Sequence, residues 1–519
     1  MSFLHLFITL LLNLVFAHAA RILAVFPVPS ISHQVVFRPL VQELAKRGHE
    51  VVVITTDPAF PKGQAPTNLT EIDVHDMSYS TWTEFVAKST GKSNDQYDQI
   101  KTALDLFTII VEKQIQNAEV QKILKDKSKT FDLLLLEACV RQALGFSYVY
   151  KVPVIQVSSL GPVFDNYKSV GGPTHPLLYP NILNQRLYNL TIWEKLWVVY
   201  YYYQVEYLYY DHENEENAML KRNFGPDTPT VTELSENIDM LFLNVHPIWE
   251  GNFPVPPSVI YMGGIHQKPS KDIPQDLKLF LDSSKHGVIY MSFGTNTNPS
   301  TLPPERIQMF VKTFAQLPYD ILWKWDKDSL PGQSKNIRIG KWFPQSDLLK
   351  HPNIKLFITQ GGLQSTDEAI SAGVPLLGIP MLGDQWYNVE KYVYHKIGVK
   401  LDLETITEEK FDNAIKTVIN NESYRLNIKR LKELMHDEPM SGLQRAVWWT
   451  EHVLRHGGAR HLRAPAANIS WSEYLELELV SIVLIALLIV IVLVYSVLKR
   501  CYKIVSRILS NVDENKKNR

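Results

Sequence analysis

Two residues far apart in the chain are of the types that acid–base chemistry needs. Ser32-His33 falls between an apolar run, Arg21 to Pro27, and an amphipathic segment, Gln34 to Arg47, while Glu137 directly follows the apolar run Phe131 to Leu136. A histidine in a strand-to-helix turn lies near a helix N-terminus, which favours an imidazole able to accept a proton. A carboxylate at the end of a neighbouring strand can orient that ring through its other nitrogen. It can also balance the imidazolium formed when the proton is taken, as an aspartate does in hydrolase triads. Alone, His33 reads more readily as a solvated side chain, and Glu137 can read as a surface carboxylate at a strand end.

A second set is contiguous, in the stretch Trp342 to Gln385, WFPQSDLLKHPNIKLFITQGGLQSTDEAISAGVPLLGIPMLGDQ. Trp342 offers a face on which a base can stack, Gln345 can bond ring edges, and Glu368 can accept two ribose hydroxyls. Asp384 and Gln385 can bond a sugar. Gly361 and Gly362 turn the chain from a strand, Ile354 to Thr359, into a short helix, Leu363 to Ala372. Such a turn bares the first N–H groups of the helix, with its dipole behind them, to a diphosphate. The set suits a nucleotide-sugar.

The pattern W-x-P-Q, F-I-T-Q-G-G-x-x-S-x-x-E-A, V-P and P-x-x-x-D-Q resembles the donor-binding signature of the UDP-glycosyltransferases, here in a membrane-bound, insect-like form. Gln360 stands where the vertebrate pattern has a phosphate-contacting histidine, and Gln364 where it usually has an asparagine. Both can still donate a hydrogen bond. Gly294-Thr295, after the strand Gly287 to Phe293, resembles the family's second phosphate-side turn. The resemblance implies the GT-B architecture, two facing Rossmann-like α/β domains, with the acceptor on the first and the UDP-sugar on the second. It implies His33 as catalytic base, with Glu137 where the family often has Asp, and no metal or cofactor beyond the UDP-sugar co-substrate.

The elements that must position these residues follow the same plan. Arg21 to Pro27, Gln34 to Arg47 and Glu50 to Thr55 read as strand, helix and strand, a doubly wound start. Val154 to Val157 and Met240 to Val245 read as further strands of the first domain, residues 20–246. Pro58 to Thr130 and Ser158 to Asp211 read as long segments forming the acceptor pocket, the second with an aromatic helix, Tyr200 to Tyr210, that lines the pocket, touches the membrane surface or simply packs. Residues 247–263 read as a Pro-rich linker. A second domain, 264–443, takes strands from Asp320 to Trp325 and Asn336 to Trp342 and a helix from Phe411 to Ile419. Asp326-Lys327-Asp328 is a D-x-D triplet beside a turn and carries no metal assignment. Gln444 to His456 is a helix that, by the resemblance, crosses back onto the first domain within a segment 444–474.

A length of 519 residues exceeds one hydrophobic core. A net charge of −1 supplies no field for nucleic acid. Residues 1–19 read as a secretory signal ending Ala17-His18-Ala19, and Leu479 to Leu498, within 475–498, as a membrane-spanning helix. Lys499, Arg500, Lys503 and Arg507 follow the span, and Glu473, Glu476 and Glu478 precede it, which puts the tail 499–519 in the cytosol. The expected protein is therefore a single-pass type I glycoprotein of the endoplasmic reticulum with lumenal domains. Sequons at Asn68, Asn189, Asn421 and Asn468 and the terminal Lys516-Lys517-Asn518-Arg519 agree with that expectation. The two cysteines, Cys139 and Cys501, would lie on opposite sides of the membrane and form no internal disulfide.

The resemblance implies transfer of a hexose, glucose rather than glucuronate, to small lipophilic hydroxyl compounds in detoxification or conjugation, by an enzyme that can form homo- or hetero-dimers. A transferase acting on a membrane lipid, or a silent UDP-sugar-binding partner subunit, shares the signature. Glucose is favoured because Ser235 to Gln267 holds no Arg or Lys, and Leu243 stands about where glucuronate users place an Arg.

Overall fold

The computed structural model describes residues 19–88, 96–126, 128–163 and 165–517. Residues 1–18 of the expected signal, and Asn518-Arg519 of the terminal cluster, lie outside them. Two compact units are present, up to Pro465 and from Ala466.

The first unit contains two all-parallel sheets. Seven strands, β1 (Arg21–Phe26), β2 (Glu50–Thr55), β3 (Leu69–Asp73), β4 (Leu133–Glu137), β5 (Val154–Ser158), β6 (Ile238–Leu243) and β7 (Val259–Tyr261), stand in the order β3-β2-β1-β4-β5-β6-β7. Six more, β8 (Val288–Ser292), β9 (Asp320–Lys324), β10 (Ile337–Gly340), β11 (Ile354–Thr359), β12 (Leu376–Gly378) and β13 (Gly398–Lys400), stand in the order β10-β9-β8-β11-β12-β13. Central strands such as β4 and β8 are buried along their whole length, as continuous apolar runs in a sheet covered on both faces require. Each order reverses direction beside its first strand, so a crevice opens at the carboxyl ends of β1 and β4 and of β8 and β11.

The linker expectation needs correction. Pro247–Glu250 is a short helix, and β7 pairs with β6 as the edge strand of the first sheet. The Pro58 to Thr130 segment is likewise not a loop, because it contributes β3 and the helices His75–Lys88, Gln96–Ile115 and Ala118–Lys125. The helix Gly442–His456 does return to the first domain, burying Ala446, Val447 and Val453 in the same cluster as Ile22, Leu40 and Leu135.

In the second unit one helix, Leu477–Lys517, contains a candidate span, Leu477–Asn511, in which an 18-residue stretch has mean hydropathy 3.3 with none of it buried, long and apolar enough to cross a membrane. It extends well beyond the expected Leu479 to Leu498.

Candidate active site

The first crevice brings His33 and Glu137 together. Ile31–Lys46 is a helix, so Ser32 and His33 lie in its first turn rather than in a loop before it. β1 and β4 are adjacent, and Glu137 is the last residue of β4. The His33 Nδ1 to Glu137 Oε1 distance is 2.7 Å, with the carboxylate fully buried and the imidazole 16% exposed. Glu137 Oε2 accepts the Val28 N–H at 3.1 Å, which fixes the carboxylate at the end of β1. With Nδ1–H donated to Glu137, the Nε2 lone pair is left for an acceptor proton.

Cys139 Sγ also donates to Glu137 Oε1, at 3.6 Å, and His33, Glu137 and Cys139 are close enough to share a metal ion. Burial pushes the Cys139 thiol well up, and the Glu137 charge adds to that shift, so the thiolate a metal would need is disfavoured. Asp105, His212 and Glu215 form a second such group elsewhere in the first domain. Both cysteines are free.

The second crevice is built from three turns. At one end Gln345 opens the helix Gln345–Leu349 and is held on three sides: Tyr290 Oη donates to its Oε1 at 3.0 Å, and its Nε2 donates to Ser365 Oγ at 2.9 Å and Glu368 Oε2 at 2.7 Å. Burial raises the Glu368 carboxyl, and the Gln345 bond opposes that. Trp342 stands open beside them, 67% exposed, with Lys324 Nζ 4.7 Å from its ring centre. The same ammonium donates to Gly294 O at 2.7 Å, and burial lowers it.

In the middle, β11 runs through Gln360 and Gly361 into the helix Leu363–Ala372, whose N-cap is Gly362, so no side chain caps its first N–H groups. Gly361 has φ +92°, and a Cβ there would lie 2.5 Å from Val389 Cγ2, so this position needs glycine. Gly294, at φ +76°, leaves the space that Gln360 Nε2 fills. The Gly361 N–H donates to Thr359 Oγ1 at 3.3 Å. Gln364 does not face the helix mouth alone, because its Nε2 donates to Ser159 O of the first domain at 3.0 Å.

At the far end Asp384 precedes the helix Gln385–Tyr394. Its carboxyl is pushed up to about 6 by burial, opposed by the Asn388 hydrogen bond and by the charge of His33. Gln385 Oε1 accepts the Met381 and Leu382 N–H groups at 2.8 and 2.9 Å, which leaves only its Nε2 for a ligand. Thr295 is exposed, and its neighbour Asn296 accepts Ser30 Oγ at 3.2 Å across the cleft. Asp326 of the D-x-D triplet holds Ser300, accepting its N–H at 3.0 Å and its hydroxyl at 2.5 Å.

Sequence reading missed Asn388 and Trp249. Asn388 is buried; its Oδ1 accepts Trp249 Nε1 at 3.1 Å, and its Nδ2 donates to Gly361 O at 2.9 Å and Asp384 Oδ2 at 2.7 Å. The i, i+4 placement of Asp384 and Asn388 on one helix face was the available signal. Nothing in the spacing pointed to Trp249.

The sequence pattern of the UDP-glucoronosyl and UDP-glucosyl transferase family matches residues 21–513. The chain is 37% identical to an ecdysteroid UDP-glucosyltransferase of Spodoptera littoralis nuclear polyhedrosis virus, over 90% of this chain and 95% of that protein. It is 32% identical to UDP-glucosyltransferase 2 of Dactylopius coccus, over 90% of each. Among solved structures it is similar in fold to the glycotransferase of kitacinnamycin, at 17% identity and TM-score 0.58, covering 85% of this chain and all of that one. A UDP-glucose: anthocyanidin 3-O-glucosyltransferase in complex with UDP gives TM-score 0.57 at 17% identity, with the same coverage.

Proposed function

The chain belongs to the UDP-glucoronosyl and UDP-glucosyl transferase family, and from that premise we propose that it transfers glucose from UDP-glucose to the hydroxyl of a small lipophilic acceptor, with inversion and without metal. The observation that carries this reading is the buried Glu137 carboxylate bonded to His33 at 2.7 Å, beside a cleft that the bond from Ser30 Oγ to Asn296 Oδ1 crosses at 3.2 Å. His33 Nε2 takes the acceptor proton as the acceptor oxygen bonds to the anomeric carbon and the bond from that carbon to the UDP oxygen breaks. Glu137 balances the imidazolium. Charge gathering on the departing UDP meets the uncapped N–H groups after Gly362 and the Gln360 amide, with Thr295 at the rim.

Trp342, Gln345 and Glu368 hold uridine, and Asp384 with Gln385 Nε2 holds the sugar hydroxyls. Lys391, a buried cation on the Asp384 side, is occupied: its Nζ donates to Trp249 O, to Glu250 O at 3.1 Å and to Tyr387 Oη at 2.8 Å. A glucuronate carboxylate would therefore meet Asp384 with no cation assigned to it. The curated relatives named for ecdysteroids support a steroid-like alcohol as acceptor.

The deciding experiment measures kcat/KM for UDP-glucose and UDP-glucuronate with one phenol and one ecdysteroid. A UDP-glucose preference of at least about tenfold, ~1.4 kcal/mol, is expected. Equal values would overturn the donor assignment, and no product with either donor would overturn the enzyme reading.

A further inference from the structure

Two long helices of the first domain, Gln96–Ile115 and Ile192–Phe224, pack through Ile100, Leu104, Val205 and Leu208. A turn beyond Leu208 the contact becomes polar. Asp105 on the first helix and His212 and Glu215 on the second each turn one ligand atom toward a common point, all within 4.8 Å of one another. His212 Nδ1 lies 3.3 Å from Asp105 Oδ1 and 3.9 Å from Glu215 Oε2. Residues three apart share a helix face, and a histidine and a carboxylate at that spacing supply ligands in helix-bundle metal centres.

The far side of the ring separates this group from a surface ion pair. The His212 side chain is only 7% exposed, and its Nε2 lies 3.1 Å from Thr108 Oγ1. That hydroxyl gives its one proton to Leu104 O at 3.2 Å and accepts the Gln142 amide at 2.9 Å. Gln142 is fixed in turn by donating to the buried Glu216 Oε1 at 3.0 Å. The ring therefore donates from Nε2, which leaves a bare lone pair on Nδ1 aimed at two carboxylates. Three acceptors converge on one point. A buried histidine whose outer nitrogen is pinned by hydrogen bonds is also the arrangement that orients a metal-ligating imidazole.

We propose that Asp105, His212 and Glu215 form a structural site for a divalent transition-metal ion of the zinc type. One imidazole nitrogen and two carboxylate oxygens suit Zn²⁺, with water in the remaining position. Ligands of a tetrahedral zinc with bonds of ~2.1 Å stand about 3.4 Å apart, close to the separations of 3.3 and 3.9 Å found around Nδ1. The Asp105 and Glu215 side chains are 46% and 59% exposed, so the ion enters from solvent while the ring holds it from inside. Local charge favours it as well: Asp211, Glu213, Glu215 and Glu216 fall in a stretch from 196 to 220 without Lys or Arg. The ion staples the two helices together. Both reach the cleft, since Tyr201 Oη donates to Gln96 Oε1 and Gln96 Nε2 donates to Gly383 O, each at 3.4 Å. The ion takes no part in sugar transfer, so the site stands or falls apart from the metal-free reaction proposed above.

The test uses the full chain in detergent, stripped with a chelator, with Cys501→Ser removing the exposed thiol. Zinc is titrated against a chromophoric chelator, and thermal unfolding is followed with and without saturating zinc. One zinc should bind per chain and raise the midpoint by at least about 3 °C, while magnesium at the same concentration should not. Asp105→Asn with Glu215→Gln should abolish both effects with the circular dichroism spectrum intact. If that double variant fails to fold, Glu215→Gln alone, at an exposed position, should weaken zinc at least about tenfold. Equal zinc binding and equal shifts in wild type and variant would place the ion on other histidines and overturn the proposal. A wild-type midpoint that zinc does not move would overturn it too, and would mean that a proton on the ring balances the two carboxylates.

Discussion

In the proposed mechanism the His33 ring moves the proton, while the Glu137 carboxylate, 2.7 Å from Nδ1, holds the ring and its charge. His33→Ala should lower transfer by about 10²–10⁴-fold while UDP binding, which sits on the other domain, changes only a few fold by calorimetry. More than a tenth of wild-type turnover would remove His33 from the chemistry. Asp384 makes a separate prediction, because burial raises its carboxyl from 3.8 to about 6. As pH falls through about 6, Asp384 gains a proton and loses acceptor capacity for sugar hydroxyls, so kcat/KM for the donor should fall with it, and Asp384→Asn should flatten that limb. The linkage has the opposite benefit for folding. A group whose pKa is raised in the folded state contributes stability that is fully present below about 4 and lost as pH rises through about 6. Asp384→Asn should therefore raise the unfolding midpoint at pH 7.5 by about 3 °C and leave it nearly unchanged at pH 4, even as transfer drops. No gain at pH 7.5 would mean that the carboxylate is better solvated than its burial implies.

The unit proposed to hold the donor, β11, its glycine turn and the helix Leu363–Ala372, was legible almost to the residue. Its strand is a continuous apolar run and its connections are short, so pattern and punctuation agree. Other elements hid for physical reasons. β3 is an edge strand with only Leu69 and Ile72 buried, too little for a run. The helix Gln96–Ile115 buries Gln96, Gln99, Thr108 and Gln114 among its core contacts, so its stripe is not apolar, and β7 is three residues behind prolines. Gln364 and Gln385 show the limit at the site itself: their types fit a ligand, but what their amides bond is decided by Ser159 and by the Met381 turn, which pattern does not reveal. The glycine turn makes the prediction for this scale. Gly361→Ala adds a Cβ 2.5 Å from Val389 Cγ2 at a backbone angle alanine resists. It should raise the donor KM at least about tenfold with the circular dichroism spectrum intact. Asn388→Ala, which frees Asp384 and Trp249 together, should raise the donor KM more than it lowers kcat.

Across the whole molecule, the two sheets of the first unit are joined at the cleft by polar bonds rather than by a shared apolar surface alone. Ser30 meets Asn296, Gln364 meets Ser159, Trp249 meets Asn388 and Tyr387 Oη donates to Glu250 O, so the two crevices keep register with one another through the helix Pro247–Glu250 and the cleft walls. Placement of that catalytic unit in the cell depends on the second unit. The helix Leu477–Lys517 is longer than a bilayer core, which takes roughly 20 residues. With its apolar part spanning a membrane, the half that carries Lys499, Arg500, Lys503 and Arg507 would extend past one face. Glutamates at 473, 476 and 478 flank the other end. Because basic residues beside a span are retained on the cytosolic side, the catalytic unit should lie in the lumen. In sealed microsomes an epitope at the C-terminus should be cut by added protease while the first unit is protected, and, after detergent opening, endoglycosidase should lower the apparent mass by removing glycans from the sequons at Asn68, Asn189 or Asn421. A protected epitope with a digested first unit would reverse the orientation. It would also require the UDP-sugar to be drawn from the cytosol, since the donor crevice lies wholly within the unit that changes sides.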